Sequence, residues 1–231
     1  MRFAPFTPVF HRRCRTLALT ALGSLTLALA APAAVLAQTA APAAQTAQSG
    51  SAALKAFLTT VQSGQSTFTQ TVLGRDDKPK STSQGEFSFV RPDRFRFVYT
   101  KPYQQTIVSD GQTLWFYDQD LAQVTKRKAS EALASTPVAV LAGGDLEKSF
   151  EIKDLPARDG QSWVQATPRQ EGGSVKTLRM GLKDGGLATL EIDDALGQRS
   201  VIRFERFQAN ARVNTADFRF TPPKGVEVLS Q

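Results

Sequence analysis

The stretch GEFSFVRPDRFRFVYT, residues 85–100, carries Phe87, Phe89, Phe95, Phe97 and Tyr99 on alternate positions. Alternation is the period of a β-strand, whose successive side chains point to opposite faces, so the rings of each run share one face. The Arg-Pro-Asp between the two runs is turn chemistry. Two aromatic strands joined by a short turn predict an antiparallel hairpin with one strongly apolar face. That face meets either the protein's own core or an apolar ligand, and periodicity alone does not choose between them.

The same signature recurs along the chain. STFTQTVLG (66–74), SQGEFSFVR (83–91), RFRFVYT (94–100), QTIVSDGQTLWFYDQD (105–120), QSWVQATPR (161–169), SVKTLRMGLK (174–183), LATLEIDD (187–194), QRSVIRFERFQ (198–208) and FRFTPPKGVEV (218–228) read as strands. Turn signals fall between them: RPD, SDGQ, ARDGQ, KDGG and DALGQ. Short strands punctuated this way predict an antiparallel meander. Two segments differ. SGSAALKAFLTTVQSG (49–64) places Leu54, Phe57, Leu58 and Val61 on one helical stripe, with Ser51 as a plausible N-cap and Gly64 as a stop. KRKASEALASTPVAVLAGGD (126–145) reads as one or two short helices broken at Pro137. Twist curls a sheet this long into a barrel or half-barrel with a concave side, and two helical pieces belong across its mouth.

The N-terminus predicts the compartment. Arg2, Arg12, Arg13 and Arg15 precede the apolar run LALTALGSLTLALAAPAAV, and Val-Leu-Ala at 35–37 fits a small-x-small cleavage site. Residues 1–37 are therefore expected to be a secretory signal peptide, 38–50 a low-complexity spacer and 51–231 a single folded domain. The four arginines leave with the signal, so 24 basic side chains face 21 acidic ones, a net charge of about +3 in place of +7. A nucleic-acid partner is not expected, since only the triplet KRK (126–128) remains as a basic cluster. Cys14 and His11, the only cysteine and histidine, leave too. A mature chain without thiol or imidazole has no disulfide, thiol or Ser-His-Asp catalysis and no ordinary zinc site. Cys14 also precedes the apolar run, so no cysteine is placed to carry a lipid anchor at the cleavage site. A soluble periplasmic protein is the expectation. Carboxylates such as Asp76, Asp77, Asp110, Glu191, Asp193 and Asp194 are candidates for acid–base work that needs no histidine. Most sit in turn sequences such as DDK and DDALG, so no catalysis and no cofactor are expected.

Several stretches together resemble the outer-membrane lipoprotein carrier family, LolA. They are FTQTV (68–72), RPDRFRF (91–97), SDGQTLWFYD (109–118), STPVAVLAG (135–143) and FRFTPPKGV (218–226), in family order across the whole expected domain. The resemblance implies an unclosed antiparallel β-barrel, an α+β but mostly β fold, with short helices forming a lid over the concave face. It implies a monomeric periplasmic chaperone that accepts lipoproteins from an inner-membrane ABC transporter complex and passes them to an outer-membrane receptor. Acyl chains would lie on the concave face, for which Phe87, Phe89, Phe95 and Phe97 are the candidates here. The family's key arginine falls at Arg91. It would latch the lid by donating to backbone carbonyls near Leu141 and Ala142, with Val138 and Val140 in the lid itself. The alternative on the same scaffold is a carrier of another lipid or hydrophobic product.

One part of this is independent of resemblance. Residues 87, 89 and 91 share parity, so a regular strand puts Arg91 on the face of the rings. A charge there needs a partner, and carbonyls at a helix C-terminus are suitable acceptors. The alternative is a solvated turn arginine ahead of Pro92. For the hairpin carrying Trp115 and Tyr117, parity leaves open whether that pair or Leu114 and Phe116 faces inward.

Overall fold

The computed structural model describes residues 48–129, 146–170 and 172–230. Twelve strands form one sheet: β1 (Ser63–Leu73), β2 (Pro79–Val90), β3 (Arg94–Lys101), β4 (Gln105–Asp110), β5 (Thr113–Asp118), β6 (Gln123–Lys128), β7 (Phe150–Arg158), β8 (Gln161–Pro168), β9 (Val175–Lys183), β10 (Gly186–Asp194), β11 (Arg199–Ala209) and β12 (Glu227–Ser230). Their order is β12-β6-β5-β4-β3-β2-β1-β11-β10-β9-β8-β7, so among the described residues β7 and β12 are edges and the sheet is unclosed. Two hairpin meanders, β1–β6 and β7–β11, are joined where β1 pairs antiparallel with β11. Every pairing is antiparallel except that of β12 with β6. The mostly-β open barrel expected from the sequence is the fold observed.

The turns behave as their residues dictate. Asp159 and Gly160 have φ of 55° and 68°, and Asp184 and Gly185 have 51° and 74°. Positive φ at both central positions makes two-residue hairpins whose twist matches that of the strands, which close at Arg158 opposite Gln161 and at Lys183 opposite Gly186.

Helix α1 spans Gly50–Thr60 and buries Leu54 and Phe57, while Leu58 packs at the margin and Val61 is buried just beyond the last turn. Its boundaries correct the sequence reading. Ser49, not Ser51, is the N-cap, its hydroxyl accepting from Ala52 N at 3.3 Å. The helix ends at Val61 in extended backbone, and Gly64 lies inside β1. A β-carbon on Gly64 would meet the rings of Phe89 and Phe207, so this glycine serves packing. Short helix α2 is Leu146–Ser149.

Three further expectations change. Lys126–Lys128 belong to β6, not to a helix, because they continue the ladder with Thr113–Trp115. FEIKDLPAR (150–158), not read as a strand, is β7 and pairs with β8. The expected last strand (218–228) is mostly irregular: Phe218 ends a 3₁₀ turn (Thr215–Phe218), and only Glu227–Ser230 pair. Pro222 and Pro223 explain this, since neither can donate to a ladder. The expected signal peptide and lid residues 130–145 lie outside the described residues.

Candidate functional site: an apolar inner face under a helix

One face of the sheet is continuously apolar. Pairing aligns Phe89, Phe95, Ser109 and Leu114 in one row across β2 to β5, and Phe87, Phe97, Ile107 and Phe116 in the next. On the other half, Val164, Ala166, Leu178, Met180, Leu182, Leu190 and Ile202 continue the surface. Helix α1 lies against it. Phe57 reaches Phe89 and Phe207 with ring centroids 6.2 Å and 6.0 Å away, and Phe87 meets Phe97 at 4.4 Å.

The four candidate rings are fully covered in this form. Phe87, Phe89, Phe95 and Phe97 are 1%, 0%, 0% and 1% exposed, and they belong to one core cluster with Leu54 and Phe57 of α1. Burial fades along the strands. Tyr99 follows Phe97 on β3, Phe116 follows Leu114 on β5 and Ile192 follows Leu190 on β10, each only half-buried against the core. Val175 and Ile152, near the starts of β9 and β7, are half-buried as well. Strands β3, β5 and β10 run in one direction and β7 and β9 in the other, so all five residues lie toward the same end of the sheet. A groove of about 490 Å³, lined by Leu54, Leu58, Leu146 and Ile152 with Lys55 and Glu147 at its margin, opens beside α1. Sequence reasoning missed these half-buried residues as a set, because exposure along a strand depends on what covers each end.

Packing decides which side of the Trp115 strand faces inward. Leu114 is buried in the core and Phe116 packs against it, so that pair points to the inner face. Trp115 and Tyr117 pack at a tilt against Phe220 of the C-terminal segment, each with ring centroids 5.6 Å away, on the opposite face. Tyr99 keeps its hydroxyl satisfied by donating to Gln70 Oε1 at 2.8 Å, and burial pushes its phenol up to about 12.

Arg91 lies where parity placed it. Its guanidinium sits 5.3 Å from the Phe89 ring centroid and 5.4 Å from that of Phe57. The Nε–H donates to the Val61 carbonyl at 2.8 Å, and the Arg91 backbone N–H donates to the Gln62 carbonyl at 2.8 Å. The helix end it meets is therefore that of α1. The last carbonyls of a helix lack partners within it and carry partial negative charge, so a cation there is favoured. Asn210, which the sequence did not flag, completes the closure: its Nδ2 donates to Thr60 O at 3.0 Å and its Oδ1 accepts from Gln62 N at 2.8 Å. Arg91 Nη2 is buried without a hydrogen-bond partner among the described residues, and desolvation lowers the guanidinium pKa from its ordinary value. Leu141, Ala142, Val138 and Val140 lie outside the described residues.

The acids are occupied elsewhere. Asp110 Oδ1 accepts from Gln112 N and Thr113 N, and Asp194 Oδ1 from Leu196 N and Gln198 N, as turn residues do. Glu191 and Asp193 are strand residues instead. They form a ladder with Arg158, Arg179 and Arg199 at 2.6–3.7 Å on the outer face. Among the described residues no group of three or more His, Cys, Asp or Glu side chains is gathered as metal ligands would be.

Fold and face together define a class: an open antiparallel sheet with one apolar surface sheltered by a helix. The model of the family described as outer membrane lipoprotein carrier protein LolA matches residues 59–221. An outer-membrane lipoprotein carrier protein of Methylibium petroleiphilum is 51% identical over 178 residues, covering 77% of this chain and 88% of its own. One of Leptothrix cholodnii is 50% identical, covering 79% and 86%. A solved LolA superfamily protein of Nitrosomonas europaea is 13% identical, with a TM-score of 0.44 and 75% and 99% of the two chains covered. The chain belongs to the outer-membrane lipoprotein carrier family.

Proposed function

We propose that this protein is a periplasmic chaperone that receives lipoproteins from an inner-membrane ABC transporter complex and delivers them to an outer-membrane receptor, acting as a monomer. The observation that carries the proposal is the graded apolar inner face, fully covered under α1 and half-open beyond it. Acyl chains first meet Tyr99, Ile107, Phe116 and Ile192. Phe87, Phe89, Phe95 and Phe97 form the floor they reach when α1 shifts. Arg91 holds the empty protein closed, through Val61 here and through the lid carbonyls of Leu141 and Ala142, with Val138 and Val140 as the lid's apolar surface.

Energetics favour a device of this kind. Each CH₂ removed from water is worth roughly 0.8 kcal/mol, so three long acyl chains fully buried reach several tens of kcal/mol. Affinities that large do not occur reversibly. A closed state that must be opened, its own aromatic packing broken in the process, offsets part of the gain and keeps transfer possible. The names of the relatives fit this reading: they are called outer-membrane lipoprotein carrier proteins.

The test is a release assay. Lipoprotein-loaded spheroplasts incubated with the protein should shed lipoprotein into the soluble fraction, and mass spectrometry should find acylated lipoprotein bound to it. Release no greater than in buffer alone, or a bound free lipid in place of lipoprotein, refutes the proposal.

A further inference from the structure

The large apolar side chains that remain exposed among the described residues are not scattered. Tyr103 and Leu121 are 71% exposed and Leu196 is 65% exposed, followed by Val228 at 41% and Leu229 at 36%. Tyr103 lies in the β3–β4 connection, Leu121 in β5–β6 and Leu196 in β10–β11. Because β3, β5 and β10 run in the same direction through the sheet, these three connections leave it at one end. Val228 and Leu229 belong to β12, which starts at that end beside Gln123. It is also the end toward which burial of the inner face fades, at Tyr99, Phe116 and Ile192. Single exposed leucines are ordinary; their confinement to one rim of one sheet is not.

Two of the three tips are held outward by the same device. Asp118, the last residue of β5, accepts from the Leu121 N–H at 3.0 Å. Asp194, the last residue of β10, accepts from the Leu196 N–H at 2.8 Å. In each case the strand's terminal carboxylate fixes the turn backbone and leaves the leucine side chain in water.

We propose that this rim contacts a lipid bilayer, with Tyr103, Leu121 and Leu196 dipping into the interface while the open end of the inner face is turned toward the membrane. The spacing favours lipid over a protein partner. Protein interfaces centre on a contiguous, fully buried cluster. Here the apolar side chains stand singly, separated by polar turn residues such as Gln104, Asp120 and Gln198. That arrangement suits shallow immersion, with apolar tips below the headgroups and charges among them. Taken together, the charges beside these tips cancel: Lys101 precedes Tyr103, Asp118 and Asp120 precede Leu121, and Asp194, Arg199 and Arg75, whose Nε–H donates to the Leu196 carbonyl at 2.7 Å, surround Leu196. The attraction is therefore apolar and needs no anionic lipid. The contact goes beyond the cargo reading, since it belongs to the empty protein.

The experiment uses the empty mature protein and neutral vesicles of phosphatidylcholine and phosphatidylethanolamine, read by cosedimentation. Each half-immersed side chain contributes roughly fivefold to partitioning, so Tyr103→Ser/Leu121→Ser/Leu196→Ser should partition about a hundredfold less than the parent. Adding phosphatidylglycerol should not strengthen binding by the parent, and raising salt should not weaken it. A tryptophan at the tip, Leu121→Trp, should shift its emission to the blue on vesicles, which gives a reading even if the triple variant folds poorly. A parent that stays in the supernatant, a triple variant that sediments like the parent, or binding that depends on anionic lipid overturns the proposal. Binding of a hydrophobic dye to the inner face should be unchanged in the triple variant. A parent that binds vesicles but takes up no dye would count against the cargo reading and leave the rim standing.

Discussion

Replacing Arg91 with leucine keeps an apolar stem against Phe57 and Phe89 but removes the guanidinium that closes the end of α1. The Nε–H···O bond to Val61 at 2.8 Å is charge-assisted and contributes roughly 1.5–3 kcal/mol. The two ring contacts, at 5.3 Å and 5.4 Å, add roughly 0.5–1 kcal/mol each. Against this, Nη2 is buried without a hydrogen-bond partner among the described residues, which costs roughly 1–3 kcal/mol that leucine would recover. The difference leaves α1 less firmly docked by about 1–2 kcal/mol, a factor of about 5 to 30 in its docking equilibrium. The assay is native-state hydrogen exchange. The Val61 amide, bonded to Phe57 O at 3.1 Å, should exchange faster by that factor, while amides in the middle of β3 and β4 keep the parent's protection. Arg91→Lys should fall between, since lysine donates without the planar fork. Adding Asn210→Ala, which frees the Thr60 carbonyl, should increase the effect further. In function, Arg91→Leu should load lipoprotein readily and surrender it slowly, because closing no longer helps to expel it. Unchanged exchange at Val61 in Arg91→Leu refutes the argument, and parent-like loading and unloading removes the latch from Arg91.

Three further outcomes are expected. Phe97→Ala, at a fully covered ring, should lower stability by roughly 3–5 kcal/mol in urea unfolding, whereas Phe116→Ala, half-buried on the same row, should lose less stability and more dye affinity per folded molecule. Gly85→Ala should unfold at markedly lower urea than the parent, because a β-carbon there overlaps the Val98 carbonyl oxygen and crowds the Phe68 ring, and backbone atoms cannot yield. For Asp193, burial opposes ionisation, but the hydrogen bond from Arg199 and the charge of Arg179 outweigh it and hold the carboxyl below its ordinary value of 3.8. A depressed folded-state pKa contributes stability that is present above the ordinary value and is lost as pH falls through the folded one. Asp193→Asn should therefore be less stable than the parent at pH 7, with the gap narrowing below about pH 4 in thermal melts; a constant gap would refute this.

Much of the architecture was legible in the residues themselves. Strand period is local, so Phe87, Phe89, Phe95 and Phe97 announce a face wherever the chain goes. Turn chemistry is local too: Asp159-Gly160 and Asp184-Gly185 adopt positive φ because aspartate and glycine tolerate it. Parity likewise put Arg91 over the ring face, and the motifs resembling the carrier family pointed to the family to which the chain belongs. Long-range pairing was not legible. That β1 lies beside β11, that KRK continues a ladder, and that Phe220 covers Trp115 all depend on which apolar faces meet after the chain has curled. The partner of Arg91 was decided at the same level. Sequence calls for an acceptor beside a charge on an apolar face, but only the packing of α1 across the sheet brings the Val61 carbonyl to that point. Burial is likewise a tertiary property: Phe97 and Phe116 share a row and a chemistry, yet Phe97 is packed under Phe68 and Phe87 and fully covered while Phe116 is half open.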